Sequence, residues 1–407
     1  MTCTPLLALD PALPQRDLLL DETLMAQYLS RLVAQNGDVA IRDCERLRTK
    51  YRVGTSLRVL YALSGNGHSY RIAARALPRC RRVANRFTSS IEVTAPELNT
   101  IFWIFPHDRK IKNLSLLADI PNALKDRYSW TSSNIVAHAP EKSVTAQCLN
   151  DKDQIIAYAK LYAGNEGHQI FKTYKHIAKA NNVHIPRAIA YFEHHHLLLL
   201  NPVKGVKLST ITPAQQANAF FQLGKALRKL HKIKAPISTP RSTRLTPETI
   251  TEATTPISQA RPDVADLVHR LSTKLIAQYK QHKPVFLHGD VHPKNILLND
   301  DQLFLLDLDQ AATGPAEVDL GSVIAGLYCD ACTNARASHE ASSLIRALLT
   351  GYGAPQNTHA LRWHVAAALL QERALRSVTR VRTTTLQKLP ELLLTAETVL
   401  NGGISEN

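Results

Sequence analysis

Val285-Phe286-Leu287-His288-Gly289-Asp290-Val291-His292-Pro293-Lys294-Asn295-Ile296-Leu297-Leu298 is the stretch that decides how this chain is read. An apolar run enters a His-Gly-Asp turn, Asn295 follows Asp290 by five positions, and a second apolar run starts at Ile296. A further apolar segment over 303–306 ends at Asp307-Leu308-Asp309. The pattern is one of short strands that deliver polar residues to a shared rim. Phosphoryl transfer from ATP needs a carboxylate to orient the attacking hydroxyl. It also needs hard oxygen ligands for magnesium, because positioning and charge stabilisation supply most of the catalysis. Asp290 suits the first task; Asn295 and Asp307 suit the second. Turns between buried strands use the same residue types, but rarely place a carboxylate, an amide and a second carboxylate at this spacing.

The flanking sequence has two halves. Before the motif, strand-like runs cover 135–138, 143–149 and 154–162, a helical segment 166–180, and two more strands 188–192 and 196–200. From Pro213 onward helices dominate: 214–232, with Phe220, Leu223, Leu227 and Leu230 on one face, then 264–282, then most of 319–400. The Thr/Pro/Ser-rich segment 237–256 reads as a connecting loop. Five strands and a helix ahead of a helical half with a β island make a two-lobed α+β plan. The motif falls where the cleft between the lobes would be.

The first third repeats part of this pattern. A helix over 21–35 precedes strand-like runs at 56–63 and 69–77, joined by Ser64-Gly65-Asn66-Gly67, a hairpin signal. A third run covers 99–105, and an amphipathic stretch covers 114–124. Tyr51-Arg52-Val53-Gly54-Thr55-Ser56 is similar to His138-Ala139-Pro140-Glu141-Lys142-Ser143, and each precedes a strand, a turn and a strand. Aligned this way, with a two-residue longer turn in the first copy, Arg75 stands opposite Lys160. The expected division is an N-terminal α/β cap over 1–129, a five-stranded small lobe over 130–203 and a mainly helical large lobe over 204–407.

His-Gly-Asp-x-His-Pro-x-Asn followed by Leu-Asp-Leu-Asp resembles the aminoglycoside phosphotransferase and choline kinase family, of protein-kinase-like fold. The resemblance implies that Asp290 is the catalytic base, that Asn295 and Asp307 bind Mg2+, and that His288 and His292 shape the loop beside the cofactor. It makes Lys160 the lysine on the α/β phosphates of ATP, Glu166 the one acid placed to hold that lysine, and Asn201 to Val203 the linker facing adenine. Asp319 would support the loop. The turn over 139–143 would cover the phosphates, although it has no glycine, unlike the glycine-rich loop of protein kinases. The N-terminal third is similar in outline to the caps of maltokinase-like members. Few residues separate Asp307 from Asp319 and no Ala-Pro-Glu follows, which points to a small hydroxylated acceptor rather than a protein. Over the helical lobe Arg336, Arg346, Arg362, Arg373, Arg376, Arg380 and Arg382 outnumber Asp330, Glu340 and Glu372. That favours a sugar or sugar phosphate over a cationic aminoglycoside or choline. A catalytically silent kinase-shaped binding protein is the rival from another class.

The remaining features narrow the class by exclusion. Six cysteines in 407 residues form no disulfide framework. Cys329-Asp330-Ala331-Cys332 reads as two buried thiols on a helix, and His194-His195-His196 as a strand turn. The start of the chain lacks a signal-peptide layout, and no apolar run approaches the roughly 20 residues needed to span a bilayer. A cytoplasmic protein without a membrane partner is expected. The net charge of +15 raises the question of nucleic acid. Apart from Arg79, Arg81 and Arg82 beside Arg75 and Arg86, the basic residues are scattered and no nucleic-acid signature accompanies them, so a solvated basic face is expected. The sequence leaves the oligomeric state open.

Overall fold

The computed structural model describes residues 6–34, 42–65, 68–81, 83, 92–180, 182–236, 239–242, 244–299, 302–353 and 357–402. Asn66 and Gly67 of the hairpin signal, and Arg82 and Arg86 of the basic cluster, lie outside the described residues.

The N-terminal region opens with α1 (Arg16–Leu20) and α2 (Glu22–Ala34), then β1 (Asp43–Arg52), β2 (Ser56–Gly65), β3 (His68–Ala76), β4 (Glu92–Ala95) and β5 (Thr100–Ile104). These strands form one antiparallel sheet in the order β1-β2-β3-β5-β4. Its inner face, with Tyr51, Tyr61 and Phe102, shares a core with Met25, Leu29 and Leu32 of α2. Burying each such side chain contributes about 2 kcal/mol. The cap is therefore α+β in kind and not α/β, because its strands are joined by turns rather than parallel crossovers. Strand β1 was not anticipated. Its charged residues Arg48, Lys50 and Arg52 alternate with only two deeply buried ones, Thr49 and Tyr51.

Helix α3 (Asn122–Tyr128) leads to the second sheet: β6 (Ser132–Ala139), β7 (Ser143–Leu149), β8 (Ile155–Tyr162), helix α4 (Glu166–Lys179), β9 (Ala188–Phe192) and β10 (Leu197–Leu200). Its order, β6-β7-β8-β10-β9, reproduces the first sheet step for step. Arg58 pairs with Arg75 in the first sheet as Thr145 pairs with Lys160 in the second. The Leu77 amide donates to the Asn99 carbonyl at 3.0 Å, as the Tyr162 amide does to His196 at 3.0 Å. Asn99 and His196 each close a one-turn 3-10 helix with positive φ. The amphipathic stretch after β5 splits into a 3-10 turn (Leu114–Leu117) and α3, and it packs into the core of the second sheet.

The large lobe contains β11 (Val206–Lys207), α5 (Pro213–His231), α6 (Pro247–Ala260), α7 (Ala265–Gln278), β12 (Val285–Leu287), β13 (Ile296–Asn299), β14 (Gln302–Leu305), β15 (Ala312–Gly314), α8 (Glu317–Cys332), α9 (Ser338–Tyr352) and α10 (Thr358–Ala368). A π-helical turn (Leu369–Ala374) carries α10 into α11 (Leu375–Arg380), and α12 (Thr383–Gln387) and α13 (Leu389–Leu400) complete it. Helix α6 corrects the loop reading of 237–256 from Pro247 onward; residues 237, 238 and 243 of that segment lie outside the described residues. Pro247 sits at the helix start, where a missing N–H costs nothing, and Thr246 caps the Thr249 amide. Ile250, Ala253, Ile257 and Ala260 are buried at helical spacing. Among the described residues no helix is long and apolar enough to cross a membrane.

Candidate active site

Strand β12 brings the His-Gly-Asp turn to the cleft, and a buried carboxylate fixes its path. Asp319, at the start of α8, accepts the His288 amide at 2.8 Å and the Gly289 amide at 2.9 Å. The ring of His231 lies 3.1 Å from the same carboxylate, and the Tyr352 hydroxyl meets the other ring nitrogen at 2.9 Å. Burial alone would raise the Asp319 carboxyl; His231 and the Gly289 amide reverse this and leave it below its ordinary value. Gly289 has φ +79°, and a Cβ there would lie 1.9 Å from the Gln310 carbonyl, so the turn admits no side chain.

His288 is fully buried. Its Nδ1 accepts the Asp290 amide at 3.3 Å, so Nε2 carries the proton it donates to the Leu306 carbonyl at 2.8 Å. Both nitrogens are engaged inside the protein. His288 is therefore a strut that shapes the loop, with neither ring nitrogen left for a ligand. His292 remains beside Asp290, with Nε2 3.6 Å from the carboxylate, and burial lowers its pKa.

Asp290 is half-buried among cations. Arg244 approaches its carboxylate at 3.8 Å and Arg376 at 4.0 Å. Asn295 donates its Nδ2 to the Asp290 carbonyl at 3.1 Å, which leaves its Oδ1 as an uncommitted oxygen. The Leu306 amide returns to the Asn295 carbonyl at 2.8 Å, so the β13–β14 hairpin holds Asn295 close to Asp307 in sequence and space. Asp307 takes φ +59°, a left-handed conformation that costs roughly 1–3 kcal/mol in a non-glycine residue.

Lys160 lies in β8 between Thr145 and Leu198 and is nearly buried. Its Nζ is 2.9 Å from Asp307 and 2.8 Å from Asp309, and the Tyr162 hydroxyl donates to Asp309 at 2.9 Å. Burial opposes the lysine's charge, but the two carboxylates overcome it and raise its pKa. Burial would likewise raise Asp307, yet Lys160 holds it at about 2. Asp309 is less exposed and sits beside a like charge, so its carboxyl is raised. Glu166 opens α4 as an exposed residue, and Lys160 forms its ion pairs with Asp307 and Asp309 instead. The expected Glu166–Lys160 partnership is thus replaced by one between lobes.

A cavity of about 410 Å³ lies over this group, lined by Lys160, Tyr174, Asn201, Val203, Asn295 and Asp307 among others. The Asn201 amide already donates to the Arg187 carbonyl at 2.8 Å. The Val203 amide has no acceptor among the described residues. Asn295 and Asp307 offer hard oxygens to one cavity, a donor set that fits Mg2+, which keeps waters and phosphate oxygens as its other ligands. Among the described residues no cluster of three or more His, Cys, Asp or Glu side chains forms a protein-only metal cage.

Sequence reasoning missed Arg244, which lies in the segment read as a loop and carries no pattern of its own. It also placed Glu372 among the residues facing an acceptor. Glu372 is buried on the π-helical turn, paired with Arg244 and accepting from Ser322 at 2.5 Å.

A two-lobed α+β chain with a carboxylate, an amide and a lysine–carboxylate cluster around one cleft defines a kinase-like phosphotransferase architecture. The profile of the Phosphotransferase enzyme family matches residues 158–391, more than half of the chain, and the chain belongs to that family. A methylthioribose kinase of Geobacillus thermodenitrificans (strain NG80-2) is 36% identical over 66 residues. That match spans 16% of this chain and 17% of the length of that relative. Among solved structures, a streptomycin–ATP complex of APH(2")-IIa has a TM-score of 0.50 at 13% identity, covering 70% of this chain and 98% of its own. A thermostable mutant of aminoglycoside phosphotransferase APH(4)-Ia likewise gives 0.50 at 12% identity, covering 70% and 100%. These likenesses show the protein-kinase-like fold.

Proposed function

We propose that this protein transfers the γ-phosphoryl group of ATP to a hydroxyl of a small molecule, a sugar or sugar derivative, with Asp290 as the base. The observation that carries this reading is that Lys160, Asn295 and Asp307 line one cavity while Asn295 is hydrogen-bonded to the Asp290 backbone carbonyl beside it. In the reaction the acceptor oxygen bonds to the γ-phosphorus, the bond to the β-bridging oxygen breaks, ADP departs, and the acceptor's proton passes to Asp290. Asn295 and Asp307 would hold Mg2+, which supplies charge stabilisation on the phosphates when bound. Lys160 would then contact the α/β phosphates, and the Val203 amide would face adenine. The same reading divides the chain into a cap (1–129), a nucleotide lobe (130–203) and a catalytic and acceptor lobe (204–407).

A phosphate-transfer screen over sugars, aminoglycosides and amino alcohols tests it, with Asp290→Ala as the control. The variant should lose roughly 10²–10⁴-fold in rate. Product formation that survives the substitution would show that the base is another residue. Failure of ATP with Mg2+ to bind at millimolar concentration, measured calorimetrically, would favour the silent scaffold instead.

A further inference from the structure

The basic residues that look scattered in the sequence are gathered by the cap's sheet. Lys50 stands opposite Arg58, and Arg58 opposite Arg75, so the three share one face. Arg48 and Arg52 alternate with the inward Thr49 and Tyr51 and join them there. This face looks onto the turn between β6 and β7. A cavity of about 260 Å³ opens between it and the turn that would cover the phosphates, lined by Arg48, Lys50, Arg52, Arg58, Lys110 and Lys142. The one acid in its lining is Glu141, which is already taken by Arg58 at 3.0 Å, Arg75 at 2.8 Å and Arg109 at 2.8 Å. Among the described residues, the side chains of Arg48, Lys50, Arg52, Lys110 and Lys142 form no ion pair with a carboxylate.

The cationic surface continues to the chemistry. Strand β1 packs on α11, whose Arg376 reaches the Asp290 carboxylate and whose Arg380 lies one turn on. Burial pushes Arg380 down to about 10, with Arg376, Arg382 and Arg48 adding to the effect. Burial and the neighbouring Arg58, Arg52, Lys142 and Arg48 push Lys50 down to about 8. Like charges crowded together on one face are unfavourable unless a counter-charge joins them. The cavity is smaller than the usual 300–1,000 Å³ of a drug-sized ligand site and suits a single oxyanion group.

We propose that this pocket holds a phosphate-type oxyanion carried by the acceptor, which is therefore an already phosphorylated hydroxyl compound gripped by Arg48 and Lys50 of the cap while its hydroxyl faces Asp290. The proposal rests on the phosphotransfer reading and narrows it.

The test uses the full chain saturated with Mg2+ and the ATP analogue AMP-PNP, so that the nucleotide's own phosphate subsites are filled. Inorganic phosphate is titrated calorimetrically, followed by glucose against glucose 6-phosphate and glycerol against glycerol 3-phosphate. Phosphate should bind, and Arg48→Gln and Lys50→Gln should each weaken it at least tenfold. Lys172→Gln, an exposed change on α4, controls for net charge and should leave it unaltered. Each phosphate ester should bind at least tenfold more tightly than its neutral partner and be displaced by phosphate. Absent phosphate binding, or binding indifferent to both cap variants, would overturn the proposal. So would phosphate binding that leaves the neutral and phosphorylated compounds equal, which would make the anion a separate effector. Retained AMP-PNP binding shows that the variants are folded. If AMP-PNP itself fails to bind while phosphate still does, the phosphotransfer reading falls and an anion pocket remains.

Discussion

The two five-stranded sheets share strand order, cross-strand register and even the left-handed residue before the last strand, yet they face different tasks. At one register position the second sheet carries Lys160, which reaches across the cleft to Asp307 and Asp309. The first sheet carries Arg75 there, and it reaches instead to Glu141 on the second sheet's own turn. The same backbone therefore presents a cation to a nucleotide-sized cavity in one copy and to its sister sheet in the other. The difference teaches that the scaffold fixes where a charge stands, and that the neighbouring carboxylate decides what the charge does.

The sharpest way to break this comparison is to neutralise both positions. Lys160→Met should reduce kcat/KM for phosphoryl transfer by at least about 10²-fold, the usual scale for losing one preorganised charge at a reacting group. Arg75→Met should cost less than about tenfold, ~1.4 kcal/mol, because Arg58 and Arg109 keep hold of Glu141. Equal losses in a steady-state transfer assay would erase the division of labour. Next comes Glu141→Gln, which loosens all three arginines at once. It should raise KM for ATP several-fold with little change in kcat, and lower stability in urea by ~2 kcal/mol.

A smaller effect separates the sheets by pH. Asp108 in the cap is opposed by burial, but His138 and the amides of Glu141, Ile111 and Lys110 hold it at about 2; Asp307 is held at about 2 by Lys160. Both folded values lie below the ordinary 3.8, so each adds stability that is complete above pH 4 and lost as pH falls toward 2. In urea titrations across that window, Asp108→Asn should flatten part of the loss and leave the share of Asp307. The smallest effect concerns the matching turns. Gly54 has φ +67° in open space, where Glu141 has φ +63° in the second copy. Gly54→Ala should cost about 1 kcal/mol from backbone strain alone, and Gly54→Asn less; a neutral Ala variant, measured by urea unfolding, would argue that the turns are not equivalent.

Most of the second sheet and the His-Gly-Asp turn were legible in the sequence because apolar runs there are bounded by Gly, Pro, Asn and Asp. The register also matched the alignment that set Arg75 against Lys160. Strand β1 escaped because a sheet face dense with Arg and Lys looks like a polar loop when its pairing partner is unknown. Helix α6 escaped because its Thr and Pro residues are read as turn formers unless the cap position is recognised. The roles around Asp290 were legible only in part. The motif names His288, but where its ring points depends on the Leu306 carbonyl, and the path of its backbone on Asp319, both supplied by other elements. Glu166 stood at the expected sequence distance, and the lysine's partners came from the other lobe.

Glu141 makes one sheet dependent on the other. A glutamate in the left-handed region carries a conformational cost of roughly 1–3 kcal/mol, which glycine at the equivalent Gly54 avoids. The arginines of the cap, with Asp108 accepting the Glu141 amide at 3.0 Å, offset that cost. Without the cap, the turn between β6 and β7 would keep its left-handed glutamate and lose all three of its counter-charges, so the second sheet depends on the first for the shape of its own turn.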